Sequence, residues 1–592
     1  MLPLLLLLAP LVSLALQIPL RAPTSAPPSL LPPSFDSFAE AVLEEWGVPG
    51  LAVGVIRVEE GDEARVEFHG YGKAREGRKV DEDTLFGIAS NTKAFTSAAV
   101  GQLVEEGRFS WEDKVAAILP EFELLDAFAS ERSSLVDLLS HRTGLPRHEM
   151  SYHIGQDSRD VVERLRFLRP SRELRESWQY NNQMFVTAAR LVSRLTSLSF
   201  TSYVRSRFLE PLNMSSTTFS PHLDGPAAID RLSASFLTLD NGTTIEIPYG
   251  FNYTHKNLEL NAGAGGIVSS TRDLVKWVEL LIRQRRRAIA HDNSTRLVDR
   301  VLAPATVRQL TRAHTLMERD PPFLFGNPRT YGMGFMSHIY NGSEYIYHGG
   351  NIPGFGSQIA WSSEAGVGIV ALCNSAGPGN VAADLIAYRA FDLLLGREPH
   401  DWQPYFRGVA EKAKADREEA LRKALKHKPT TAPTLPLPHY LGAYFDPGYG
   451  NLTACPAPGR NTSFSSTCDG LYRRIADALP ASIVPPSSTV PVILLVCPGY
   501  FGMSHFLLRH YDGDVWKGSA ASIFEGTQAS PGRKLLYESA DAVRVEFVLD
   551  ARKERVLRAE VSGVWGAGGE VEPDEERVEV AFLRESYFPE EL

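Results

Sequence analysis

The chain has 592 residues, of which 43% are hydrophobic and 22% charged, with a formal net charge of −10. That length exceeds one typical compact domain and points to about three or four units of ordinary size, with larger single domains allowed, while the acidic balance argues against a general nucleic-acid binder. With only four cysteines the chain is not a disulfide scaffold, and no Cys/His spacing matches a zinc site, so no metal or other cofactor is expected.

Met1-Leu2-Pro3 opens a Leu-rich stretch to Leu16, too short to cross a bilayer comfortably. Ser13-Leu14-Ala15 offers small residues for cleavage, so residues 1–16 read as a signal peptide and no stable membrane span is expected. Seven N-x-S/T sequons, at Asn213, Asn241, Asn252, Asn293, Asn341, Asn451 and Asn461, fit a secreted glycoprotein. A Pro-rich lead-in covers 17–33. A helix capped by Ser34 follows, with Phe35, Phe38, Val42 and Trp46 on one face and Gly47 at its end. Leu51 to Val58 and Arg65 to Tyr71 read as two strands.

Thr84-Leu85-Phe86-Gly87-Ile88-Ala89-Ser90-Asn91-Thr92-Lys93 leads into a helical pattern that ends near Gly107. With the helix starting at Ser90, Ser90 and Lys93 share a face of its first turn, beside unpaired N–H groups and the positive dipole end. That setting suits a serine nucleophile. Leu135 to Ser140 reads as a helix running into His141-Arg142-Thr143-Gly144-Leu145-Pro146. Gly263-Ala264-Gly265-Gly266 reads as a tight loop, and Ser269 to Asp273 as the cap of a helix over Leu274 to Ile282. The basic run Arg283-Gln284-Arg285-Arg286-Arg287 reads as a solvated helix end. Gln358 to Trp361 and Val367 to Cys373 are predicted as adjacent strands, with a final helix from Val381 to Leu395. Strands at both ends with helices between predict an α/β sandwich over 34–400. A charged helix and a Thr/Pro linker occupy 401–438. Beyond them the pattern alternates, as in Val543, Val545 and Phe547, and Tyr511-Asp512-Gly513-Asp514 reads as a hairpin turn. Residues 439–592 are therefore predicted as a β-rich domain, read as a small barrel. Cys455 and Cys468 lie in one Gly/Pro/Ser-rich stretch, close enough to pair across a short loop, while Cys373 and Cys497 read as buried strand thiols.

Two further segments carry chemistry. In Ser177-Trp178-Gln179-Tyr180-Asn181-Asn182, a phenol beside an ammonium is favoured as its anion and can serve as a base, and Asn182 can orient Lys93 or a substrate carbonyl. In Tyr347-His348-Gly349-Gly350-Asn351, the glycines admit close approach of a substrate to the backbone. A backbone N–H there, with that of Ser90, can bind the oxyanion of a tetrahedral intermediate. His348 is placed to hydrogen-bond Tyr180 or the substrate.

Ser90-Asn91-Thr92-Lys93, Tyr180-Asn181-Asn182 and His348-Gly349-Gly350, in this order, resemble the S-x-x-K, Y-x-N and K-T-G elements of the serine β-lactamase and penicillin-binding-protein family. The resemblance is to its class C β-lactamase, DD-peptidase and esterase branch and covers roughly 34–397. Leu139-Ser140-His141-Arg142-Thr143-Gly144-Leu145, Gly265 to Ser270 and Tyr331-Gly332-Met333-Gly334 are similar to it as well. It implies an antiparallel sheet flanked by helices plus an all-helical region, Ser90 as acylated nucleophile, and Lys93 and Tyr180 as proton-transfer groups. Asn182 would support Lys93 and the substrate, and the Ser90 and Asn351 N–H groups would form the oxyanion hole. His348 and Gly349 depart from the Lys and Thr of K-T-G, which points away from β-lactams and D-Ala-D-Ala. The expected activity is a secreted, extracellular serine hydrolase acting on a small-molecule ester, amide or acyl donor. The alternatives are an acyltransferase, a D-aminopeptidase, DD-peptidase or true β-lactamase, and a non-catalytic binding protein. Tyr440-Leu441-Gly442-Ala443-Tyr444 with Pro447 to Gly450 resembles the lipocalin-like appendage of some of these hydrolases. The sequence specifies no oligomeric state.

Overall fold

The computed structural model describes residues 28–59, 63–153, 155–238, 242–249, 258–292, 294–317, 328–456, 468, 490–497, 504–524, 534–563 and 577–585. The signal peptide, most of the Pro-rich lead-in, and Asn241, Asn252, Asn293 and Asn461 lie outside them. Asn213, Asn341 and Asn451 are exposed.

The first unit is a three-layer sandwich around a nine-stranded antiparallel sheet. Its strand order is Arg78–Lys79, Ala64–Arg75, Gly50–Val58, Val367–Cys373, Phe355–Ser362, Ser343–Ile352, Met336–Tyr340, Thr330–Tyr331 and Thr315–Leu316. The central strands are apolar runs because both faces are covered: every residue of Phe355–Ser362 and of Val367–Cys373 is buried. On one face lie the Ser34–Trp46 and Pro378–Leu394 helices, packed through Phe35, Ala39 and Val42 and through Leu385, Ile386 and Phe391. On the other lies the Thr271–Ile289 helix, whose Val278 meets the sheet at Gly368. Gly47, at φ 63, ends the first helix as the sequence predicts. Ser34 is not its cap. Pro33 takes that position, no side chain bonds the free N–H groups, and Ser34 lies in the first turn.

Between the sheet's two halves of sequence lies the helical region, organised on the Thr92–Glu105 helix. Nearly all of that helix is buried, so it lacks an amphipathic stripe. The Leu135–Leu139 helix begins in a reciprocal cap between Ser134 and Asp137. Two expectations change here. Gly263 to Gly266 is not a plain loop, because Ala262–Gly265 forms one helical turn with Gly263 seated on Ala189 and the Phe185 carbonyl. The Thr271–Ile289 helix, capped by Ser270, runs seven residues past Ile282, so the basic run folds into the protein instead of ending in solvent. Arg286 donates to the carbonyls of Val58 and Ser363 at 2.9 and 2.7 Å. Arg285 pairs with Glu344 and Arg287 with Asp299.

The Gln403–Lys426 helix leads to the second unit, a closed antiparallel barrel. Its eight strands run in chain order from Gly442–Asp446 to Val580–Arg584, and the first closes on the last through Tyr444 and Arg584. Closure removes free strand edges. Trp516, Val543, Val545 and Phe547 point inward and are buried, in line with the alternation read from the sequence. The predicted hairpin joins His505–Asp512 to Val515–Phe524. The Thr/Pro segment before the barrel is fastened to this turn: Thr430 and Thr434 bond Asp512 and Asp514 at 2.9 and 2.8 Å. Cys455 and Cys468 form a disulfide. Cys373 is a buried strand thiol, whereas Cys497, also buried, stands just after the Val492–Val496 strand.

Candidate active site

Ser90 does not begin an α-helix. It sits in a 3-10 turn, Ala89–Asn91, and the α-helix starts at Thr92. The cause lies one residue earlier: Ala89 adopts φ 49, a left-handed conformation rare for a side chain with Cβ. That kink is fixed from the sheet. Asn91 Nδ2 donates to Ser357 Oγ at 2.9 Å, and Ser357 Oγ donates to the Ile88 carbonyl at 2.9 Å. Ser90 is thereby presented on a tight corner and keeps part of its surface open to solvent.

Lys93 still lies one turn on and reaches back. Its Nζ is 3.0 Å from Ser90 Oγ, 2.6 Å from Asn182 Oδ1 and 2.7 Å from the Ala264 carbonyl. The side chain is fully buried. Burial pushes the ammonium well below its ordinary pKa; Glu149 nearby opposes this and Arg147 adds to it. Two of the three acceptors are fixed carbonyl oxygens. In the neutral amine they take both N–H bonds, which leaves the lone pair facing Ser90 Oγ.

Tyr180 approaches the same hydroxyl from a different segment, with its OH donating to Ser90 Oγ at 2.8 Å. Its ring is held between His141, centroids 4.3 Å apart, and the Arg147 guanidinium, 4.4 Å from the ring centroid. Asn181 caps the Asn182–Thr196 helix by accepting from the Met184 N–H, which sets Asn182 in the first turn, facing Lys93.

The third segment lies on the Ser343–Ile352 strand. Gly350 is where the sheet meets the nucleophile corner: a Cβ there would collide with the Ile88 carbonyl and the Ser357 hydroxyl and press on Ala89. Gly349 lies opposite Gln358, and Asn351, opposite Gly356, is exposed beside the corner. His348 does not bond Tyr180. Its Nδ1–H donates to the Gly349 carbonyl at 2.7 Å and its Nε2 accepts from Tyr331 OH at 3.1 Å. Burial, helped by the Lys93 charge, lowers its pKa to about 3, so it is neutral.

Sequence reasoning missed four groups here: the Ala264 carbonyl, Glu149, Arg147 and Tyr331. Glu149 accepts from Asn182 Nδ2 at 2.8 Å. Arg147 and Glu149 directly follow the Gly144-Leu145-Pro146 turn, and charges so placed were the available signal. Among the described residues no group of three or more His, Cys, Asp or Glu is arranged to hold a metal ion, and no helix is long and apolar enough to cross a membrane.

The unguisins hydrolase ungD' of Aspergillus campestris is 30% identical over 461 residues, covering 74% of this chain and 80% of that protein. The corresponding hydrolase ungD of Aspergillus violaceofuscus is 31% identical over 437 residues, covering 71% and 75%. In fold, the chain is similar to the octameric penicillin-binding protein homologue from Pyrococcus abyssi, with a TM-score of 0.53 at 16% identity over 93% of this chain and 99% of that one. Residues 35–393 match the family described as Beta-lactamase. Since that stretch is more than half of the chain and contains Ser90, Lys93 and Tyr180, the protein belongs to the Beta-lactamase family and is a serine hydrolase of that family.

Proposed function

We propose that the protein is a secreted hydrolase that cleaves a neutral amide or ester through an acyl group carried on Ser90. The observation that carries this reading is the double approach to one partly open hydroxyl, by Lys93 Nζ at 3.0 Å and Tyr180 OH at 2.8 Å. In the first half-reaction Ser90 Oγ bonds the substrate carbonyl carbon and its proton passes to the Lys93 amine. The carbonyl oxygen becomes an oxyanion held by the N–H groups of Ser90 and Asn351. Collapse breaks the bond to the leaving amine or alkoxide, which takes the Tyr180 proton, and the Lys93 ammonium returns a proton to the phenolate. In the second half-reaction water attacks the acyl carbon, gives its proton to the same pair, and releases the acid and the Ser90 hydroxyl.

His348 supports the neutral substrate. Where K-T-G supplies a cation for a substrate carboxylate, this chain has an uncharged imidazole with both nitrogens engaged. The relatives named as hydrolases are consistent with amide or ester cleavage. Secretion is supported by the Cys455–Cys468 disulfide, a bond of oxidising compartments, and by exposed sequons at Asn213, Asn341 and Asn451. The test is intact-mass detection of an acyl-enzyme across neutral esters, amino-acid amides and β-lactams. A mass increase with esters or amides that disappears in Ser90→Ala is expected. Acylation that persists in Ser90→Ala would remove the assignment.

A further inference from the structure

The barrel meets the catalytic unit on the segment that carries Arg147 and Glu149, and the side chains there alternate in direction. Arg147 lies over Tyr180. His148 points the other way: its Nε2–H donates to the Arg169 carbonyl at 3.1 Å, and its Nδ1 accepts from the Tyr449 hydroxyl of the barrel at 2.6 Å. Glu149 turns back to Asn182. Met150 enters the apolar end of the barrel beside Tyr449, Leu452, Phe506 and Phe582, leaving a cavity of only about 10 Å³. That volume holds no substrate, so the barrel grips the segment instead of storing a ligand there. His153 fastens the far end to the Tyr449 carbonyl at 2.9 Å.

The chemistry of Glu149 gives this clamp a consequence. An ionised carboxylate only accepts hydrogen bonds, so it fixes the amide of Asn182 with Nδ2 outward and Oδ1 toward Lys93. A flipped amide would set an NH₂ against Lys93. We infer that Glu149 is a positioning residue for Lys93, acting through Asn182, and that the barrel holds Glu149 in place through the Tyr449 hydroxyl on His148. The inference rests on the acyl-enzyme reading above. It assigns the barrel a part in the reaction that the catalytic unit cannot supply alone.

The test uses the full chain and measures the rate at which a fluorophosphonate probe labels Ser90 between pH 5 and 10, with thermal melts beside it. Glu149→Gln, whose own NH₂ permits the flip, should slow labelling by about tenfold, less than the roughly 10²–10⁴-fold of a lost general base. Besides Glu149, the titratable groups facing Lys93 among the described residues are Arg147, His141, His348 and Tyr180. Removing the only carboxylate among them moves the Lys93 limb of the pH profile to lower pH, a change that general loosening would not produce. Tyr449→Phe removes the donor to the buried Nδ1 of His148, so it should slow labelling in the same sense while melting in one transition at a somewhat lower temperature. It should add little to the slowing in the Glu149→Gln background, since both act on one path. Parent rates and an unshifted limb in both variants would overturn the inference. If Glu149→Gln does not fold, Tyr449→Phe decides alone, because it removes a single hydroxyl. Equal labelling of Ser90→Ala is a separate result and sinks the acyl-enzyme reading instead.

Discussion

The carbonyl oxygen of Ala264 accepts a hydrogen bond from Lys93 Nζ at 2.7 Å, and with Asn182 Oδ1 it leaves the amine one direction free, toward Ser90. Full burial lowers the Lys93 pKa well below its ordinary value, so the neutral amine exists at pH values where a solvated lysine is all ammonium. The sign follows directly. Protonation fills the lone pair that faces Ser90, so acylation falls as pH drops through the Lys93 pKa and levels off above it. A pH–rate profile of Ser90 labelling should therefore show its rising limb far below pH 10.5, the ordinary lysine value. Lys93→Arg, which stays charged at all these pH values, should lose that limb and about 10²–10⁴-fold in rate.

Gly350 meets the backbone of the nucleophile corner, with the Ile88 carbonyl and Ser357 hydroxyl closing the space where a Cβ would stand. Backbone on one side cannot yield as a flexible side chain does. Gly350→Ala should therefore push the strand from Ala89 and Ser90, slowing labelling by tenfold or more and costing about 1–3 kcal/mol of stability. Gly349→Ala is the comparison, because its nearest neighbour is the movable end of Gln358. It should fold with near-parent stability in a urea titration. Equal losses at both positions would contradict the close approach.

How much of this was legible in the sequence follows from the range of the forces involved. Local signals located the Ser90–Lys93 pair, the Gly47 stop, the Asp512-Gly513 hairpin and the inward alternation of Val543, Val545 and Phe547, each fixed by neighbours a few residues away. The grouping of Ser90, Lys93 and Tyr180 came from family resemblance, since nothing local brings Tyr180 across ninety residues. The turn at Ser90 was misread because Ala89 takes a conformation its residue type disfavours, held there by distant groups, among them Ser357, Gly350 and the Ile267 carbonyl that bonds the Ile88 N–H. His348 was misdirected for the same reason: Tyr331, on another strand, supplies its partner. Glu149 escaped notice because its meaning depends on Asn182, on a helix elsewhere, and on the barrel behind it.

The basic run shows the same lesson as a measurable energy. Composition alone makes Arg283 to Arg287 a solvated helix end, yet Arg287 is 8% exposed and bound to Asp299 and to Asp292. Asp299 also accepts from Gln284 at 3.0 Å, so the guanidinium closes a network under the helix end. Asp299 and Asp292 are only partly buried and keep donors from Gln284, Arg296 and Ser294, so removing the guanidinium costs its charge-assisted hydrogen bonds and the packing of its buried stem, not a full buried-charge penalty. Arg287→Met should therefore destabilise by about 1–2 kcal/mol in a urea titration. Lys412, paired to Asp416 at 2.7 Å on the exposed Gln403–Lys426 helix, provides the contrast. Water already solvates both of its charges, so Lys412→Met should leave the midpoint where it was. Similar losses for the two variants would mean that the Arg287 network is as solvated as its composition suggests.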